Sequence, residues 1–354
     1  MDIVGQIKQI RYTPTLCSEL DSYPFGQLRS LLSTRGAFKL SLDGDYLAIS
    51  RWVSAKRTRS YPYARVYDTL GFTGKRITVI PIYKDEGFDG DRDFLQYDTI
   101  SLMSLLGVYV IIAYYDNAAK NVDYENKITS QEFDHNFVGD RIMEIASYHS
   151  DALHWNMGQL EQAAYVGERA INSYRNISHT LGVVMHSEDG ARKKIRELAS
   201  GLEIFRDASR TRGIKAQFRE SRTVQPKEFL EGGKATITIT NFYNGFYPFT
   251  VDEAFLNGTD LYLIEAKHTG YAKLPSLEDI KDGILKMVIF SNLDTVTIDG
   301  LRYNSVPALK LTTASQINYD ALDARSKAIL DHVTHEAKIN NFKVIFNGQF
   351  ISVD

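Results

Sequence analysis

The chain has 354 residues, 44% hydrophobic and 24% charged, which is enough for one large or two ordinary globular domains with an ample core. One cysteine, Cys17, excludes an internal disulfide and a cysteine-built zinc site, and fits a reducing cytoplasm. A net charge of −3 excludes a uniformly basic polyanion binder, so any nucleic-acid contact requires cations gathered locally.

Residues 1–6 lack the basic and apolar regions of a signal peptide, so a cytoplasmic location is expected. Residues 26–33 predict a short helix, and residues 38–49 alternate around Asp43-Gly44, a hairpin signal. Residues 54–68 then interleave Lys56, Arg57, Arg59 and Arg65 with Tyr61, Tyr63 and Tyr67. Cations mixed with aromatics suit a nucleic-acid backbone or unstacked bases; they equally suit an exposed loop whose long side chains lie over the core. Residues 76–83 predict a strand, followed by the acids Asp85, Glu86, Asp89, Asp91 and Asp93. As a calcium loop this run fails, because Phe94 stands where glycine is needed and Ile100 where glutamate is needed. The acidic loop, residues 85–93, is expected to place negative charge at the N-terminus of a helix over residues 98–106.

Residues 99–115 carry no charge, yet the run is short for a membrane span and Gly107 divides it. Helix formers precede the glycine and β-formers follow it. A buried helix, a glycine cap and a buried strand are predicted, with no membrane partner. Residues 115–131 read as a polar linker or surface excursion, and residues 141–148 and 151–181 as two helices. His149 and His154 read as capping or core groups, not as a metal pair. Ser187 is expected to cap a helix with Glu188 and Asp189 in its first turn. Residues 190–222 are the densest basic segment, including Arg192, Lys193, Lys194, Arg210 and Arg212. They are placed to hold phosphates, or else form a solvated helix face with Glu197, Glu203 and Asp207.

Lys234 to Thr240 predicts a strand, and Asn244-Gly245 a turn into the next one. In residues 249–268, two alternating apolar runs flank Asn257-Gly258, a hairpin signal. Two registers are open. Leu256 opposite Thr259 sets Asp252 against Leu263, whereas Leu256 opposite Leu261 sets Asp252 against Glu265. Side chains alternate along a strand, so either register puts Asp252, Glu265 and Lys267 on one face and Glu253 on the other. Two carboxylates this close repel unless a cation lies between them, and Mg²⁺ takes carboxylate oxygens together with water and phosphate oxygens. The adjacent lysine can orient a water and offset negative charge in a phosphoryl transition state. The plainer alternative is a solvated hairpin with a cross-strand salt bridge.

The motif, Val251-Asp252 followed by Glu265-Ala266-Lys267, resembles the signature of the PD-(D/E)XK nucleases over roughly residues 200–300. Pro248 lies upstream of the acid instead of just before it, a departure from the family's half-motif. The length resembles type II restriction endonucleases more than small repair nucleases. The resemblance implies a Mg²⁺-dependent endonuclease that cuts double-stranded DNA at specific sites and leaves 5′-phosphate and 3′-hydroxyl ends. It implies catalysis by Asp252, Glu265 and Lys267, with Asp252, Glu265 and the Ala266 carbonyl as metal ligands. Glu203 or Glu220 is the candidate for an added helical acid, and a homodimer would supply two active sites. The alternatives are a non-catalytic nucleic-acid-binding protein on the same fold and a structure-specific repair or recombination nuclease. DNA contacts are assigned to Lys56, Arg57, Arg59, Arg192, Lys193, Lys194, Arg210 and Arg212.

Downstream, Ser276 and Asp279 form a capping box before a helix with Leu277, Ile280, Ile284, Met287 and Val288 on one face. A strand hairpin over residues 295–303 turns at Asp299-Gly300, and residues 315–338 predict an amphipathic helix bearing His332 and His335 at its surface. Two closing strands meet at Asn347-Gly348. The fold class is α/β: a mixed β-sheet flanked by helices, a restriction-endonuclease-like core. Three regions are expected: an N-terminal α/β region over residues 1–130 that recognises DNA, a mostly helical segment over 131–200, and a catalytic region over 201–354.

Overall fold

The computed structural model describes residues 2–201, 233–241, 246–314 and 317–351. Glu203, Arg210, Arg212, Glu220 and the Asn244-Gly245 turn lie outside the described residues. The chain is mixed α/β, as expected. It divides into two compact units, residues 18–206 and residues 1–17 with 207–354. The boundary expected at 130 is absent, because the helical stretch that follows it belongs to the same unit as the preceding sheet. The first strand, β1 (Asp2–Ile7), belongs with the C-terminal half.

In the unit of residues 18–206, β2 (Ser22–Pro24), α1 (Leu28–Thr34), β3 (Ala37–Leu42), β4 (Asp45–Arg51), α2 (Pro62–Thr69) and β5 (Arg76–Pro81) come first. The short hairpin β6 (Tyr83–Asp85) and β7 (Arg92–Phe94), then α3 (Tyr97–Leu105) and β8 (Tyr109–Ala113), follow. The sheet order is β2-β3-β4-β5-β8. β3 and β4 turn on Asp43 and Gly44, both at positive φ, as the Asp-Gly pair predicts. β4, β5 and β8 run parallel, which needs crossovers, and α2 and α3 lie in those connections. The uncharged run resolves as foreseen: α3 ends, Gly107 takes φ +66°, and β8 is buried along its whole length. Among the described residues no helix is long and apolar enough to cross a membrane.

Two expectations in this unit are corrected. Residues 115–131, read as a linker or surface excursion, form a regular hairpin, β9 (Tyr115–Lys120) paired with β10 (Ile128–Phe133). Its outward face is polar, while Tyr115, Ile128 and Phe133 are buried and anchor it. After α4 (His135–Ser147), the expected long helix divides at Gln162 into α5 (Ala152–Glu161) and α6 (Ala163–Leu181) without a proline or glycine at the junction. α5 covers the backbone of β8: the Val110 N–H donates to Asn156 Oδ1 at 2.7 Å, and the Trp155 indole donates to the Val110 carbonyl at 2.7 Å. Ser187 caps α7 (Glu188–Ala199), as expected.

The other unit is built on an eight-stranded mixed sheet. Its elements are β1, β11 (Gly233–Asn241), β12 (Phe246–Asn257), β13 (Asp260–Thr269), α8 (Leu277–Phe290), β14 (Thr295–Ile298), β15 (Leu301–Thr313), α9 (Ala324–Ile339), β16 (Lys343–Phe346) and β17 (Gln349–Ile351). The strand order is β13-β12-β11-β1-β14-β15-β16-β17, and β15 also pairs in parallel with β13, so the order closes on itself. β11, β12 and β13 form an antiparallel meander. The chain then crosses through α8 and returns through β14 and β15, which from Asn304 onward runs parallel to β13. β1 pairs in parallel with β11 and antiparallel with β14, filling the middle of the sheet. The helix expected over 315–338 starts later, at Ala324, because the Asp323 carboxylate caps it by accepting the Ser326 N–H. Buried Glu336 on α9 ties down the N-terminal segment, accepting from the Tyr12 hydroxyl at 2.7 Å, the Thr15 N–H at 2.7 Å and the Leu16 N–H at 3.0 Å.

Candidate active site

The β12–β13 hairpin adopts the second of the two registers. Leu256 pairs with Leu261 and Glu253 with Ile264, which brings Asp252 across from Glu265. Gly258 takes φ +63° in the turn. Alternation then sorts the charges as predicted. Asp252, Glu265 and Lys267 share one face, and Glu253 points to the other, where its carboxylate meets Lys310 Nζ at 3.0 Å in a buried ion pair. Lys310 reaches that face because β15 is parallel to β13 and sets Lys310 beside Ala266.

On the site face, Asp252 Oδ2 accepts the Ala266 N–H at 3.0 Å, and its carboxyl shares a hydrogen bond with Glu265. Glu265 is almost fully buried. Its Oε1 lies 3.2 Å from Lys267 Nζ and its Oε2 accepts from Lys286 Nζ at 2.6 Å. Lys267 Nζ also donates to Asp282 Oδ2 at 2.7 Å. Asp282 and Lys286 stand one turn apart on α8, so the helix delivers a carboxyl and an ammonium to a site begun by the hairpin. Gly283 lets α8 approach: a Cβ there would meet Leu309 Cδ1 at 2.7 Å and Lys267 Cε at 3.2 Å. The helix itself begins as the sequence predicts, with Ser276 Oγ accepting the Asp279 N–H at 3.1 Å.

Electrostatics divides the two carboxyls. Burial, then the neighbouring Glu265 charge, push the Asp252 carboxyl up to about 7. Burial acts the same way on Glu265, but the Lys286 and Lys267 ammonium groups outweigh it and hold that carboxyl down at about 2. A single proton on Asp252, donated toward Glu265, satisfies both groups. Burial disfavours the Lys267 charge, yet Glu265 and Asp282 overcome this and keep its ammonium protonated far above neutrality. Lys286 is likewise held protonated by Glu265 and Asp252 against the effect of burial. These lysines are thus donors and positive charges at neutral pH, not bases.

The sequence motif identifies Asp252, Glu265 and Lys267, and the fold brings them together. Asp282 and Lys286 were missed. Their signal is an acid and a lysine at i and i+4 on the helix that follows Glu-x-Lys, with Lys286 the one charge in its second half, Gly283 to Phe290. Among the expected DNA contacts, Arg57 pairs with Asp98 at 3.0 Å, and Arg59 pairs with Glu86, Asp91 and Asp93. Glu86, Asp91 and Asp93 of the acidic loop thus serve as counter-charge for Arg59, and the acid in the first turn of α3 is Asp98. Arg192 is held by Glu168 and Glu188, while Lys56, Lys193 and Lys194 are exposed, Lys194 in a solvent-facing pair with Glu197. His149, His154, His332 and His335 are all exposed. Among the described residues, no group of three or more His, Cys, Asp or Glu forms a metal cage.

No family model matches the chain, and no curated protein or solved structure matches it either.

Proposed function

We propose that the unit carrying β12, β13 and α8 hydrolyses DNA phosphodiester bonds with Mg²⁺, most simply as a site-specific, restriction-type endonuclease acting as a homodimer on double-stranded DNA. The observation that carries this reading is the convergence of Asp252, Glu265 and Lys267 on one sheet face, with Glu253 excluded from it. The order of elements also supports a restriction-endonuclease-like core: meander, helix, then a strand parallel to the Glu-x-Lys strand.

The donor set fits Mg²⁺. Two adjacent carboxyls, one of them driven to hold a proton near neutrality, favour a small cation that completes its shell with waters and phosphate oxygens. Asp252, Glu265 and the Ala266 carbonyl would hold the ion. When bound, it would supply Lewis acidity toward the scissile phosphate and an acidified water. Lys267, fixed by Asp282, keeps a donor and a positive charge beside that centre, placed to orient the attacking water and to offset charge developing on the phosphoryl oxygens. Exposed Lys56 and Lys193 are candidates for phosphate contacts.

The test is supercoiled plasmid with Mg²⁺ and, in parallel, with Ca²⁺. Discrete fragments with Mg²⁺ and binding without turnover with Ca²⁺ are expected. Trimming at ends or junctions alone would favour a repair nuclease, and tight binding without cleavage of any duplex would favour a non-catalytic DNA-binding protein.

A further inference from the structure

Both oxygens of Glu265 are occupied by ammonium groups: Lys267 Nζ lies against Oε1 at 3.2 Å and Lys286 Nζ against Oε2 at 2.6 Å. A carboxylate held this way keeps free lone pairs, but its charge is already offset by two ammonium groups that a divalent ion would have to approach. The two lysines are not equivalent. Lys267 has a second carboxylate, Asp282, at 2.7 Å, and keeps that anchor if it leaves Glu265. Among the described residues, the other hydrogen bond of Lys286 goes to the neutral Thr250 carbonyl at 3.4 Å. Lys286 also lies on a helix rather than on the hairpin, so its displacement leaves the register of Asp252 and Glu265 intact.

We propose that Lys286 is the internal counter-ion of Glu265 and competes with the divalent metal for its charge, so that metal binds against the Lys286 ammonium at Oε2. This rests on the reading of Asp252 and Glu265 as a metal site. The competition sets the metal affinity of the protein. A site whose carboxylate is already neutralised by a tethered ammonium binds a cation more weakly than the same site without it, because a like charge must be moved or endured. The proposal makes Lys286 a positioning residue that keeps the metal-free site folded while limiting its avidity for metal.

The experiment is calorimetric titration of the whole protein with Mn²⁺ and with Ca²⁺, without DNA, comparing wild type with Lys286→Met and Lys286→Gln. Lys286→Met matches the length of the stem and removes the charge. Lys286→Gln also keeps an N–H donor for Glu265, so it remains informative if the methionine variant does not fold. Both variants are expected to bind metal at least about tenfold more tightly than wild type, since a full like charge within a few ångströms is removed. Equal or weaker binding by a folded variant overturns the proposal while leaving the metal site standing. If neither wild type nor variants bind metal, and Glu265→Ala changes nothing, the metal-site reading itself falls and the proposal with it.

Discussion

Asp282 Oδ2 accepts from Lys267 Nζ at 2.7 Å, and this contact between helix and strand gives Lys267 an anchor besides Glu265. Without it, Lys267 would share only the crowded Glu265 carboxylate with Lys286. Asp282→Asn removes the charge but keeps a hydrogen-bond acceptor. We expect turnover on DNA to fall by about tenfold, about 1.4 kcal/mol of barrier, with DNA affinity little changed. Single-turnover cleavage beside a binding isotherm checks it, and a loss confined to affinity would count against a positioning role.

Gly283→Ala tests how closely α8 must approach. Alanine is worth about 1 kcal/mol over glycine in a helix interior. Here its Cβ would stand 2.7 Å from Leu309 Cδ1 and press on the Lys267 stem. The clash is expected to outweigh the propensity gain, for a net loss of roughly 1–2 kcal/mol. Chemical denaturation measures this, and a stabilised variant would show that the helix has room to spare.

The titration of Asp252 sets a pH dependence in the presence of a chelator. Its carboxyl is raised to about 7 in the fold, so ionising it there is disfavoured relative to the unfolded chain. Stability from this group is therefore lost as pH rises from about 4 toward about 7. Glu265 is shifted the other way, so its contribution is lost only as pH falls toward about 2, outside that window. Asp252→Asn removes the Asp252 penalty while its amide oxygen can still accept from Ala266. Its stability advantage over wild type should grow between pH 5 and pH 8 by roughly 2–3 kcal/mol. An advantage that shrinks with pH would contradict this assignment of the shared proton.

Arg59 separates two readings of the stretch from Lys56 to Arg65. Its guanidinium is engaged by Glu86, Asp91 and Asp93. Arg59→Ala leaves three neighbouring acids without that cation, so a stability loss of about 1–2 kcal/mol is expected, with DNA affinity preserved. Thermal melts and DNA binding on the same variant decide it. Weaker DNA binding with unchanged stability would return Arg59 to the phosphate contacts.

These residues show what was legible in advance and what was not. The face shared by Asp252, Glu265 and Lys267 follows from strand alternation alone, so it was readable although the register was not. The register depends on which residues of the Asn257–Asp260 turn pair, and period-two patterning does not decide that. Asp282 and Lys286 escaped notice because an acid and a lysine at i and i+4 usually form a solvated helix pair. Only tertiary packing turns them toward Glu265. β1 was illegible for a similar reason: its partners are Thr236 to Asn241 and Thr295 to Ile298, and such distant pairing leaves no local signal. The β9–β10 hairpin was read as a linker or surface excursion because one polar face masked three buried anchors.

The central claim is that Asp252, Glu265 and Lys267 cleave DNA. It is tested most directly by plasmid cleavage with Mg²⁺ by wild type, Glu265→Ala and Lys267→Ala, with duplex binding measured in Ca²⁺ on the same preparations. The account predicts fragments from wild type and none from either variant, a loss of at least about a hundredfold, while all three proteins bind DNA alike. Cleavage by Glu265→Ala at the wild-type rate would contradict it and place the chemistry elsewhere.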